Sequence, residues 1–135
     1  MEKIVIDTSV IVKWYIKEAN TSKALTYLEK YKENKIDILL PSVAALELAN
    51  ALYFSAKLNN KILRKFLNNF YNLAFQIYPL NLDFILDTQI TMQGFDIAIY
   101  DSLFVTLAKN ENCKLITADK KHHKKEIYNK IVYLD

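Results

Sequence analysis

The stretch KIVIDTS, residues 3–9, decides the fold: β-branched Ile4, Val5 and Ile6 read as a strand, the strand stops at Asp7, and helix-starting residues follow at once. Outward from it the alternation repeats. Further strands are expected over residues 37–40, 76–78, 114–117 and 131–134, with the first over 3–7. Helices are expected over residues 10–32 with a break near Asn20, then 42–58, 61–75, 82–92, 97–110 and a short one over 121–128. Pro41 and Ser42 mark a helix entry, Asn60 and Asn81 suit N-caps, and Gly94 suits the residue after a helix end. Such alternation predicts an α/β chain: a three-layer α/β/α sandwich on a mainly parallel sheet of about five strands. In sheets of this kind ligands gather outside the carboxyl ends of the strands, where Asp7 and Asp119 both fall.

The 135 residues, 52% hydrophobic, fit one compact domain over 1–135. No apolar run approaches the roughly 18 residues that span a bilayer. The opening MEKIVIDTS lacks a secretory signal, so a cytoplasmic protein without a membrane partner is expected. Cys113 stands alone, which leaves no internal disulfide and no thiolate zinc site; it reads as a small apolar residue. Gly94 is the single glycine, which excludes a Walker loop, a dinucleotide fingerprint and a nucleophile elbow, and leaves turns to Asn and Asp.

Four acids stand in surroundings poor in water. Asp7 ends the first strand, Glu47 lies inside VAALELANAL, Asp101 interrupts IAIYDSLFVTLA, and Asp119 closes KLITAD. Isolated carboxylates there are costly, so each needs a partner. Each also has a plainer reading. Asp7 before Thr8 and Ser9 suits a helix cap, Asp119 suits a turn after a strand, and Asp96 suits the cap of the helix carrying Asp101. Glu47 and Asp101 resist such readings, because their helical neighbours are small or apolar and Asp101 falls in mid-helix. If the fold gathers the acids, their simplest common partner is a hard divalent cation, which in a chain of net charge +3 points towards phosphodiester chemistry. Lys120, Lys121 and Lys124 follow the last acid and suit substrate phosphates, or equally a solvated helical face. His122 and His123 are adjacent, would diverge by about 100° on a helix, and are not expected as ligands.

Taken in order, IVIDTSVIVKWY, PSVAALELANALY, FDIAIYDSLFVTLA and CKLITADKK resemble the four acidic motifs of PIN-domain ribonucleases, and the short format resembles their VapC-type toxins. The resemblance implies a PIN-like fold and an endoribonuclease dependent on Mg2+ or Mn2+. It places Asp7, Glu47, Asp101 and Asp119 as catalytic, metal-holding acids, with Thr8, Ser9, Asn50 and Thr117 orienting them. It also implies an RNA substrate, a small antitoxin covering the acidic groove, and a homodimer. Lys120 and Lys121 stand just past Asp119, where some relatives carry a further acid, and Phe104 stands where many carry tyrosine, a change expected to affect packing. Phe66, Phe70, Tyr71 and Phe75 recur at near-helical spacing and suit core or an interface; Trp14 and Tyr15 suit stacking on bases or contact with an antitoxin. A housekeeping RNA-processing nuclease and a non-catalytic binding scaffold stay open. A phospho-receiver domain fits less well, since VIDTS offers one Asp rather than paired acids and the second strand ends in Leu40 and Pro41.

Overall fold

The computed structural model describes residues Met1–Asp135. Strand β1 (Glu2–Ile6) leads into a short helix α1 (Thr8–Ile11), a 3-10 turn (Val12–Trp14) and α2 (Thr21–Lys32). Strand β2 (Ile36–Pro41) is followed by α3 (Val43–Asn50), which runs into a π-helical turn (Ala51–Ser55), and by α4 (Asn60–Asn72). Then come β3 (Gln76–Tyr78), α5 (Leu82–Phe95), α6 (Ile99–Asn110), β4 (Lys114–Thr117) and β5 (Ile131–Tyr133). The strands lie in the order β3-β2-β1-β4-β5, every neighbouring pair parallel. Val5 sits between Leu39 and Leu115 at the centre. Successive residues of a strand face opposite sides, yet Val5, Ile6, Leu39 and Leu40 are all fully buried, so both faces of the sheet are covered. Chain order runs outward from β1 through β2 and β3, then resumes on the other side with β4. The reversal therefore falls between β1 and β4, where an open parallel sheet leaves a crevice at its carboxyl edge.

Three expectations about helix ends are corrected. The N-cap of α4 is Asn59 rather than Asn60: its Oδ1 accepts from the Ile62 amide at 3.0 Å, while Asn81 caps α5 as expected, accepting from Phe84 at 2.9 Å. Gly94 lies inside the last turn of α5, and Asp96 takes the left-handed position beyond it (φ 53°). Asp96 therefore ends α5 and does not cap α6, whose N-cap Ala98 has no side-chain bond. Left-handed backbone falls at Asn20, Asn34, Lys57, Ala74, Asp96 and Asn112, mostly the Asn and Asp that a chain short of glycine must use. Asn20 breaks the long helix expected over 10–32, and residues 15–20 are not helical.

Residues 121–128 form turns, not a helix. The Asp119 carboxylate accepts from the amides of Lys121 and His122, both at 3.1 Å, and folds the chain locally before a helix can propagate through a lysine-rich run. The aromatic stripe is mainly core: Phe70 and Phe75 are buried and Phe66 half-buried, while Tyr71 is 84% exposed. Trp14 and Tyr15 are anchored inwards, Trp14 donating to the Ala24 carbonyl and packing on Phe75, Tyr15 packing on Phe66 and donating to Asn69. Phe104 and Cys113 are buried in the core. No helix is long and apolar enough to cross a membrane. Asn59→Ala should lower unfolding stability by about 1 kcal/mol, and Asn60→Ala by clearly less, in urea titrations.

Candidate functional site

Asp7 follows the last residue of β1, and its amide still pairs with Ile116 of β4 at 2.9 Å. Its side chain makes no capping bond to α1, which removes the plainer reading of this residue. Oδ2 instead accepts from the hydroxyls of Ser9 (2.6 Å) and Thr117 (3.1 Å). Ser9 Oγ in turn accepts from the Ala118 amide, and Thr117 Oγ1 from that of Asp119, so the ends of β1 and β4 are tied together around one carboxylate. Glu47 projects from α3, half-buried, with Oε1 accepting from the Thr8 hydroxyl at 2.9 Å.

Asp101 lies in the first turn of α6, not in mid-helix, because that helix starts at Ile99. An Asp there is favourable to the helix, but its half-buried carboxylate makes no hydrogen bond and faces the other acids. Asp119 does what a turn residue does: besides its two backbone bonds it pairs with His122 Nδ1 at 2.8 Å. Asn50, expected to orient Glu47, is exposed and makes no side-chain bond; only Thr8, Ser9 and Thr117 of the expected supporting residues touch an acid. Lys120 is paired with Asp135 and lies over the Tyr133 ring, whereas Lys121 and Lys124 are exposed and unpaired.

The residue that sequence reasoning set aside is His123. The two histidines do diverge, as expected, but His123 turns inward and is fully buried, with Nε2 3.5 Å from Asp7 Oδ1 and 3.9 Å from Asp101 Oδ1. Neither ring nitrogen satisfies hydrogen-bond geometry. The Asp7 contact is therefore electrostatic rather than a formed hydrogen bond. A signal was present: in KKHHKKEI, His123 and Ile127 are four apart and both buried, the one inward-facing pair in a run of charges.

The acids differ in affinity for protons, and the causes can be named. Burial alone would raise Asp7, but His123, Ser9 and Thr117 outweigh it and hold its pKa below the usual value. Glu47 is pushed up to about 7 by burial, with repulsion from Asp7 and Asp101 adding to it and the single Thr8 bond opposing it. Burial likewise raises Asp101, with His123 opposing and Asp7 reinforcing. For His123 burial disfavours the charge, yet the attraction of Asp7, Asp101 and Asp119 prevails and its pKa rises.

This is a mutually repelling set of oxygens, several of them free of hydrogen bonds, and its chemistry fits a hard dication, which would relieve the repulsion. The spacing is wider than a closed ligand shell: no three His, Cys, Asp or Glu side chains stand close enough to hold one ion without some movement.

A family model for the PIN domain matches residues 4–127. No curated protein matches the sequence significantly. Solved structures share the fold. VapBC2 from Rickettsia felis, bound to a DNA fragment from its promoter, is 20% identical over 98% of this chain and 99% of its own, with a TM-score of 0.69. DNA-bound VapBC from Salmonella typhimurium is 13% identical over 100% of both chains, at 0.71. VapC20 from Mycobacterium tuberculosis, described as a toxin cleaving the sarcin-ricin loop, is 10% identical over 88% of this chain and 92% of its own, at 0.68. At such identities the likeness shows the fold alone.

In the unfolded chain Glu47 ionises near 4.5 and in the fold only near 7, so between those values the fold binds more protons and loses stability as pH rises. His123 acts in the same direction, since its raised pKa gives stability below 6.5 that is lost as pH climbs through its folded value. Urea midpoints of the metal-free protein should therefore fall between pH 4.5 and 7, and Glu47→Gln should flatten part of the fall; an unchanged slope in that variant would refute the assignment.

Proposed function

The chain belongs to the PIN-domain family, and from that premise we propose that it is a metal-dependent endoribonuclease, the toxin of a VapBC-type toxin–antitoxin pair. One observation carries the reading: Asp7, Glu47 and Asp101 come from separate elements into one neighbourhood, where burial first, and repulsion from the other two acids after it, push Glu47 up to about 7. Gathering these acids costs the fold stability, and an ion-dependent site accounts for that cost.

Asp7, Glu47 and Asp101 would hold Mg2+ or Mn2+, with Asp119 beside them. The bound ion would make a water a stronger nucleophile and neutralise charge on the phosphate oxygens. Asp7, ionised and gripped by Ser9 and Thr117, supplies a fixed negative anchor. Glu47 uses Oε1 to accept from Thr8, which leaves Oε2 to carry the proton present near neutral pH and to release it when a cation arrives. In the hydrolysis, a water oxygen bonds to phosphorus, the bond to the 3′ oxygen breaks, and the products are a 5′-phosphate and a 3′-hydroxyl. The RNA 2′-hydroxyl takes no part, so selectivity for RNA rests on shape and groove contacts. Lys121 and Lys124 are free to meet phosphates; Lys120 must first leave Asp135.

Partner surfaces support the toxin reading. An apolar groove of about 610 Å³ runs between α3, α4 and β3, lined among others by Leu46, Phe70, Tyr71 and Ile77, and suits an antitoxin segment. The outer face of α5 exposes Leu82, Ile85, Leu86 and Ile90 and suits a second copy of the chain.

Asp101→Asn should lower Mg2+- or Mn2+-dependent cleavage of a structured RNA panel by about 100-fold or more. Cleavage at the wild-type rate, with contaminating nuclease excluded, would end the proposal; wild-type protein that binds metal and RNA without cutting would favour a binding scaffold instead. Ile90→Lys should shift the sedimentation coefficient from dimer to monomer.

A further inference from the structure

His123 is fully buried and neither ring nitrogen completes a hydrogen bond, so Nε2 retains the capacity to take a ligand. Its Nε2 faces Asp7 Oδ1 at 3.5 Å and Asp101 Oδ1 at 3.9 Å. Around an octahedral ion with bonds of about 2.1 Å, neighbouring donor atoms stand about 3.0 Å apart and opposite ones about 4.2 Å. The observed separations equal neither, so the donors must shift by a few tenths of an ångström or more to close such a shell. Asp7 directs its hydrogen bonds through Oδ2 and leaves Oδ1 open, and Asp101 makes none, so two carboxylate oxygens from separate segments approach the same ring nitrogen with unused capacity. The backbone assists: the His123 amide donates to the Asp119 carbonyl at 3.0 Å, which fixes the turn that sends the ring inward.

We propose that His123 is a metal ligand of this site, giving one nitrogen donor through Nε2 to a divalent cation that Asp7 and Asp101 hold through oxygen. The inference rests on the dication-dependent reading above and adds a donor type to it. Mg2+ seeks oxygen, whereas imidazole suits transition ions, so one nitrogen in an oxygen site biases it towards Mn2+ over Mg2+. The shell closes by movement of Asp101, whose carboxylate nothing restrains.

Electron spin-echo envelope modulation on the full chain loaded with Mn2+ tests this directly. Wild-type protein should show nitrogen couplings to the bound ion, and these should change when the protein is grown with histidine isotopically labelled at the imidazole nitrogens. The isotope arm needs no variant to fold. The couplings should persist in His122→Ala, since His122 is half-exposed and held by Asp119, and be lost in His123→Gln. Bound Mn2+ without histidine nitrogen, or couplings that vanish in His122→Ala, would overturn the inference and leave the nuclease reading standing. A free-ion signal undiminished by protein would overturn both.

Discussion

Two hydroxyls tie the site to the sheet. Thr117, fully buried, donates to Asp7 across 110 residues of sequence and joins the carboxyl ends of the two adjacent strands where chain order reverses. An ionised carboxylate in that position is tolerable only with donors around it. Ser9 supplies the second and at the same time holds the Ala118 amide, so the polar floor of the site is built from backbone ends that the sheet itself positions. Loss of the Thr117 hydroxyl would disturb the anchor and the Asp119 amide together, since both bond to the same oxygen.

Asp7 and Glu47 share a neighbourhood and differ in character. Burial raises the pKa of both, but Asp7 has two hydroxyl donors and an imidazole beside it, and Glu47 one hydroxyl. At Asp7 the imidazole charge and two hydroxyls outweigh burial, whereas at Glu47 burial, with repulsion from Asp7 and Asp101, prevails over the single hydroxyl. One carboxylate stays charged throughout the physiological range, while the other changes charge within it, an arrangement by which one fold obtains two acids of unlike strength.

Much of the fold was legible in the sequence because its signals are local. β-Branched runs gave the strands, two of them to the residue, at 76–78 and 114–117. Helix ends were less legible: Asn59 and Asn60 are equally good caps by type, and only the bond to Ile62 separates them. The acids could be picked out because apolar neighbours made them conspicuous, and Asp7, Glu47 and Asp101 do come together. Asn50 was misjudged because helical spacing places a residue near a neighbour without saying which way its amide turns. His123 was missed because its burial depends on the Asp119 turn, a three-residue geometry that competes with the helix its lysine-rich surroundings suggest.

The left-handed residues Lys57 and Ala74 stand just before and just after α4, and neither side chain suits that conformation, at a cost of about 1 kcal/mol or more each relative to glycine. Helix α4 is thus suspended between two strained joints, unlike the strands, which are locked by neighbours on either side. Phe70 in the core, Phe66 against Tyr15 and Asn69 bonded to the Tyr15 hydroxyl hold it on the body in spite of those joints. One wall of the apolar groove is this helix, so the two joints set where that wall stands.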